Sequence, residues 1–255
     1  EATLVGNATM VHLHLGIAPT SLGHLPYVGV VGDAVDLPAR ELNLHLHPSA
    51  RIYVLPAIGG FVGADTVAVV LAAGLDEDDG RIRIAADIGT NCELALRRGE
   101  RLLVTSTPAG PAFEGARIAC GMYAGPGAIE AVRLDGDVHC KVIGRQAPSG
   151  LCGSGLVDAG AELLRCGIVD ETGRLLDPEE LGDQVAEPFK KRLVPRDSEL
   201  SFVLAETGAG ESVALTQRDI RELQLAKASI RTGVDLLLEK AGLEAADLDE
   251  FVVAG

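Results

Sequence analysis

The chain has no tryptophan, only three tyrosines and five phenylalanines. Its interior must therefore come from Ala, Val, Leu and Ile. Basic residues are also scarce, 22 Lys and Arg against 37 Asp and Glu, which leaves a net charge of −15. That balance excludes a nucleic-acid binder, because phosphate backbones need a basic surface. It equally excludes a polybasic membrane anchor. No apolar run reaches membrane-spanning length; the longest helical candidate, 62–73, is interrupted by Asp65. There is no signal peptide. Cysteines at 92, 120, 140, 152 and 166 form no C-x-x-C pair. An odd count at wide spacing predicts reduced, buried thiols in a cytoplasmic protein and no zinc or iron–sulfur site within the chain. Gly and Lys never stand as a pair, so there is no Walker loop. Gly125-Pro126-Gly127 and Gly208-Ala209-Gly210 both lack the third glycine of a G-x-G-x-x-G loop. Those absences remove the two commonest nucleotide folds.

What remains is 255 residues that are 47% apolar, with mean hydropathy +0.23 and 31 glycines. This is enough for a substantial core in one or two domains. Aliphatic residues and many tight turns predict an α/β protein, not a disordered chain. The chain does not begin with Met and stops inside or just past a strand, so it reads as a piece of something longer.

Along the chain, 2–5 reads as a strand and 8–15 as a helix, with Asn7 as N-cap and Gly16 as its stop. His12 and His14 point to different faces of that helix and cannot chelate together. His45 and His47 have strand-compatible spacing, but Pro48 follows and no acid lies nearby. A strand at 51–55 leads through Gly59, Gly60, Gly63 and Ala64 into a helix reaching 73. The small residues let that helix pack its backbone closely on a neighbour or a ligand. Asp65, in its first turn, either faces a magnesium-bound water or simply complements the helix dipole. Residues 76–80 form a solvated acidic turn.

Three strands follow, at 81–86, 93–97 and 101–107, joined by hairpin-length loops. The first loop carries Asp87-Ile88-Gly89-Thr90-Asn91. A carboxylate at a strand end, then a glycine turn lined with N–H groups, suits a phosphate and its Mg²⁺; an Asp-Gly hairpin turn is the plain alternative. A short helix is expected near Pro111. Strands at 128–134 and 138–143 flank Asp135-Gly136. The glycines at 150, 153 and 155 precede a helix over 156–165, as a backbone-contact loop for nucleotide or as tight packing. Ser154 lacks the G-x-S-x-G setting of a nucleophile. Residues 170–212 read as a polar surface excursion with one or two strands, 202–205 among them. Thr216 caps a long helix to Lys240, with Gln224, Lys227 and Arg231 on its outer face, reaching for a nucleotide or merely solvated. The last strand is 251–254.

Taken in order, Val5-Gly6-Asn7-Ala8-Thr9-Met10, Ser21-Leu22-Gly23, the 58–65 and 87–91 segments, Gly110-Pro111-Ala112-Phe113-Glu114-Gly115-Ala116, Cys152-Gly153-Ser154-Gly155-Leu156 and Glu222-Leu223-Gln224-Leu225-Ala226-Lys227 resemble the reductive activators of corrinoid proteins, in their C-terminal ATPase domain. The match runs almost end to end. It implies the ribonuclease H-like fold of the actin, sugar-kinase and heat-shock ATPases. Residues 1–80 would be the last part of a first ATPase half with a crossover helix, and 81–255 a second half cut before the end of its adenosine loop. It implies ATP and Mg²⁺ as cofactors, and a [2Fe–2S] cluster only in an N-terminal region absent here. The partner would be a corrinoid protein or cobalamin-dependent methyltransferase, reduced from Co(II) to Co(I); the resemblance leaves room for a homodimer. Carried over by motif, Asp87 binds the metal and, with Asp65, serves catalysis. Gly89, Thr90 and Asn91 would hold the phosphates, Gly110 and Glu114 would line the same cleft, and Gln224, Lys227, Ala254 and Gly255 would lie near the adenosine. Cys92 stands where that pattern expects glycine. A small-molecule kinase of the same superfamily and a non-catalytic docking module are the rival functions.

Overall fold

The computed structural model describes residues 1–183, 185–196, 199–207 and 211–255; Gly208-Ala209-Gly210 lies outside the described residues. In chain order the elements are β1 (Ala2–Leu4), α1 (Ala8–His14), β2 (Val35–Pro38), β3 (Arg51–Val54), α2 (Ala64–Ala72), β4 (Arg83–Ile88), β5 (Cys92–Arg98), β6 (Arg101–Thr107), β7 (Ala128–Asp135), β8 (Asp137–Val142), β9 (Gly150–Leu151), α3 (Gly153–Arg165), α4 (Glu187–Lys190), β10 (Leu193–Arg196), β11 (Glu199–Glu206), β12 (Ser212–Thr216), α5 (Gln217–Ala241) and β13 (Glu250–Ala254). They form two compact units. One holds Glu1–Ile88, Cys92–Thr107 and Arg231–Gly255; the other holds Gly89–Asn91 and Pro108–Ile230. Each unit is assembled from separated stretches of chain. No helix among the described residues is long and apolar enough to cross a membrane.

The first unit has two sheets, ordered β1-β3-β2 and β13-β4-β5-β6. In the larger one β13 runs parallel to β4, and the β4-β5-β6 meander is antiparallel. Ile84, Ala85 and Ala86 are buried in succession, as expected of a strand covered on both faces. Asn7 caps α1 by accepting from the Met10 amide at 2.9 Å, and Gly16 leaves it at φ +71°. The N-terminus of α2 packs directly on that of α1. A Cβ on Gly63 would stand 2.7 Å from Asn7 Cα, and the Ala64 amide donates to Gly6 O at 3.0 Å. Arginines close the far ends of two helices. Arg83 donates to Ala73 O and Gly74 O after α2, and Arg98 donates to Ala241 O at the end of α5.

His12 is structural. It is 1% exposed, its Nδ1 lies 2.7 Å from Ala8 O, and its Nε2 accepts the Val30 amide at 2.8 Å. The Val30 donor fixes the tautomer, with the proton on Nδ1. His12→Ala would orphan the Val30 amide and open a cavity, so we expect a loss of about 3 kcal/mol in denaturant unfolding. His45 and His47 lie outside any strand, and His47 Nδ1 meets Ser49 Oγ at 2.8 Å.

The second unit carries the sheets β8-β7-β9 and β10-β11-β12. They share a core that includes Ile129, Leu134, Leu156, Leu163, Phe202, Leu204 and Leu215. Strand β9 pairs only with Ala128 and Ile129, so the rest of that β7 edge faces α3. Side chains of α3 take the place of a strand there. Ser154 donates to Glu130 O at 2.8 Å, Asp158 accepts from the Val132 amide at 3.3 Å, and Glu162 accepts from the Leu134 amide at 2.6 Å. Arg165 completes the row on Leu134 O at 2.7 Å. Four residues of helix rise about 6 Å and two of strand about 6.6 Å, so the two periods run in step.

Two expectations are corrected here. Residues 170–212 are not a surface excursion: Phe189, Leu193, Phe202 and Leu204 are buried in the core, carried by α4 and an antiparallel sheet. Residues near Pro111 form successive turns instead of a helix, because Gly115 (φ +83°) and Arg117 (φ +65°) are left-handed. Of the two readings of the glycines around Ser154, the close contacts support packing. A Cβ on Gly153 would strike the Phe113 carbonyl, and one on Gly155 the Ile129 carbonyl.

Candidate functional site

The first unit gathers carboxylates at one end of its larger sheet. Asp87 is the next-to-last residue of β4, directly opposite Glu93 on β5 and beside Ala254 on β13. These are the carboxyl ends of two parallel strands, where open α/β sheets bind ligands. Gly255 follows at φ +117°, and a Cβ there would collide with the Ile88 backbone. Only glycine lets the chain leave β13 so close to β4. Burial pushes the Asp87 carboxyl up, and the charge of Asp65 in the first turn of α2 adds to it. Burial also raises Glu93, against the Ser106 hydroxyl that donates to it at 2.9 Å; Asp65 and Asp87 raise it further. Among the described residues no cationic side chain contributes to either shift. Three oxygen-donor acids with mutual repulsion fit a hard divalent cation. Among the described residues no three such side chains converge tightly enough to chelate an ion alone.

The second unit holds the turn and the loop after the meander. The Thr90 hydroxyl donates to Glu114 Oε1 at 2.6 Å, and the Gly110 amide donates to Thr90 O at 2.8 Å. Glu114 Oε2 is buried and has no partner. A buried carboxylate oxygen left unpaired calls for a donor from an ordered water, an ion or a ligand. The Gly89 amide is closed on Asn91 O at 3.1 Å, so the anion-binding face of the turn is narrower than a full nest. Gly110 has φ +81° and nothing within 4 Å of its Cβ position, which leaves open space there. The loop itself is held by close backbone approach. A Cβ on Gly115 would stand 2.5 Å from Met122 N, and one on Gly121 would overlap the Gly115 carbonyl.

Gln224 is engaged elsewhere. It donates to Thr172 O at 3.0 Å and accepts from Arg221 at 2.6 Å. Lys227 is exposed, and Arg231 pairs with Asp235 at 2.8 Å. Cys92 is fully buried, and its thiol is pushed up to about 12 by burial and by the charges of Glu93 and Asp87. A thiol so far from thiolate is inert. We expect iodoacetamide at pH 8 to leave Cys92 unlabelled in the folded protein and to label it after unfolding, read by mass spectrometry. Sequence reasoning missed Glu93. The signal was present: a hairpin closed by Ile88 and Cys92 necessarily sets residue 87 against residue 93.

Residues 81–255 match the model of a family described as the C-terminal domain of RACo, the ASKHA domain, and residues 1–78 match the RACo middle region. The chain is 41% identical over 260 residues to the corrinoid activation enzyme RamQ of Eubacterium limosum, an alignment covering 100% of this chain and 43% of that protein. It is 28% identical over 251 residues to the [Co(II) methylated amine-specific corrinoid protein] reductase of Methanosarcina barkeri, covering 88% of this chain and 41% of that one. Among solved structures it is similar to a reductive activator for corrinoid,iron-sulfur protein, with a TM-score of 0.85 and 35% identity over 100% of this chain and 40% of that chain. The chain thus spans about two fifths of the length of the relatives it matches.

Proposed function

This chain belongs to the RACo family, with its middle region and its ASKHA (actin-like ATPase) domain, and we propose that it is the ATP-binding part of a reductive activator that drives a partner's corrinoid from Co(II) to Co(I). The observation that supports this reading best is the set of acids around Asp87, unpaired by any cation among the described residues, at the carboxyl ends of β4 and β13. In this reading Asp87 would hold Mg²⁺, directly or through its waters, and Asp65 and Glu93 would add negative charge beside it. Gly89, Thr90 and Asn91 would receive the phosphates, with Glu114 held beside them by the Thr90 hydroxyl. Ala254 and Gly255 open the loop under the adenosine. Gln224, already bonded to Thr172 and Arg221, is the weakest member of the set. When bound, Mg²⁺ neutralises charge developing on the transferred phosphoryl group.

The family names give the coupling its purpose. For one electron each 59 mV costs about 1.4 kcal/mol, so regaining Co(I) needs an energy source, and ATP supplies it by favouring one conformation of the complex. Residues 81–255 supply one half of the ATPase in this reading, with 1–80 leading into it. The test is reconstitution of the full-length protein with its Co(II) corrinoid partner, reductant and Mg²⁺, following Co(I) by visible absorption. Co(I) should accumulate only with ATP; equal formation without nucleotide removes the proposal.

A further inference from the structure

Among the described residues, Asp219 is the only acid in the fully buried class, at 1% exposure, and the chemistry proposed above does not use it. It sits in the first turn of α5. Its Oδ2 accepts the Thr216 amide at 2.9 Å, and Thr216 Oγ1 accepts the Asp219 amide at 3.1 Å. This reciprocal pair is a capping box, and it needs only one carboxylate oxygen. The other, Oδ1, accepts the Ala119 amide at 2.9 Å, from a residue 100 positions away. A helix cap alone has no need of that bond, nor of full burial, which raises this carboxyl despite the three hydrogen bonds with Thr216 and Ala119 that oppose it.

Ala119 belongs to the turn closed by the Gly121 amide on Ile118 O at 3.0 Å. Gly121 and Met122 press on Gly115, whose neighbour Glu114 carries both the Thr90 hydroxyl and the unpaired oxygen. Every link of this path lies within the second unit. The Met122 amide on Leu151 O (3.0 Å) and the Leu151 amide on Cys120 O (2.8 Å) stiffen its middle. We propose that Asp219 is a positioning residue for the nucleotide loop: its second oxygen, through Ala119 and the Gly121–Gly115 contact, sets where Glu114 and Thr90 stand. The inference rests on the reading of those two residues as nucleotide contacts.

Two variants of the intact protein separate positioning from mere stability. Thr216→Val removes half of the capping box and leaves the Ala119 bond. Asp219→Asn keeps the size and one acceptor, and it sets an amide donor against a backbone donor. The probe is a fluorescent ATP analogue with Mg²⁺, alongside thermal unfolding. We expect both variants to melt earlier, the analogue Kd to rise about tenfold in Asp219→Asn, and Kd to stay within twofold in Thr216→Val. Equal changes in Kd for equal losses of melting temperature would refute positioning. If the wild type binds no ATP analogue, the nucleotide reading itself fails first. Should Asp219→Asn not fold, hydrogen exchange on the wild type decides. ATP with Mg²⁺ must slow exchange at 110–121 and at 216–220 together; protection confined to 110–117 refutes the path.

Discussion

Asp87→Asn is expected to lower ATP hydrolysis by the intact protein at least about 100-fold, the scale seen when one preorganised electrostatic contact is lost. The same change should make the metal-free protein more stable. Asp87 and Glu93 both have carboxyls raised by burial and by neighbouring acids. A group raised in the folded state contributes stability that is full below the ordinary carboxylate range, near pH 4, and is lost as pH rises through its raised value. Once the pH passes those raised values, both are charged at a cost to stability. Asparagine removes one charge and should raise the melting temperature by about 2–4 °C for each kcal/mol relieved. Mg²⁺ should raise the wild-type midpoint and leave the variant's unchanged. Melting curves from pH 4 to 8, with and without Mg²⁺, read all of this. A variant that hydrolyses ATP normally, or melts earlier than wild type at pH 8, excludes Asp87 from the metal site.

Gly121→Ala is expected to be the most destabilising single methyl group in the second unit. Its Cβ would overlap the Gly115 carbonyl and crowd the Gly115 Cα. Neither side can retreat, because residues 120–122 are hydrogen-bonded to Leu151 and Gly115 is left-handed. Overpacking against backbone costs about 3 kcal/mol. Gly115→Ala meets Met122 from the other side and adds the strain of a positive φ, about 1–2 kcal/mol. Either change also displaces Glu114, so nucleotide affinity should fall beyond what unfolding explains. Urea denaturation measures the first effect; a loss under about 1 kcal/mol would show that the loop has slack.

How much of this the chain announced depends on the range of the interactions. Helices with local signals stood where their caps and glycines placed them: Asn7 before α1 and Thr216 before α5. The β4-β5-β6 meander followed from alternation and short loops. The nucleotide fold was legible through a run of motifs that no single one of them would have secured, and family and structural similarity agree with it. Residues 170–212 were misread because their apolar positions are diluted by charged and proline residues at strand ends. Their burial is decided by distant partners such as Ile129 and Leu156. The turns after Pro111 were missed for a related reason. Pro at the start suggested a helix, but the backbone there is dictated by Gly121, a contact that local propensity does not contain. Asp219 was likewise invisible as anything beyond a first-turn acid, since its second partner lies 100 residues away.

The row of α3 side chains along β7 has a consequence for solubility. A bare strand rim is a template on which other chains can grow, and net charge alone does not cancel its unpaired amides. Here two carboxylates occupy the Val132 and Leu134 donors, while a serine and an arginine occupy the Glu130 and Leu134 carbonyls. Along this stretch a recruited strand would have to displace four side-chain bonds before it could pair, so the helix guards the rim of β7 as a neighbouring strand would.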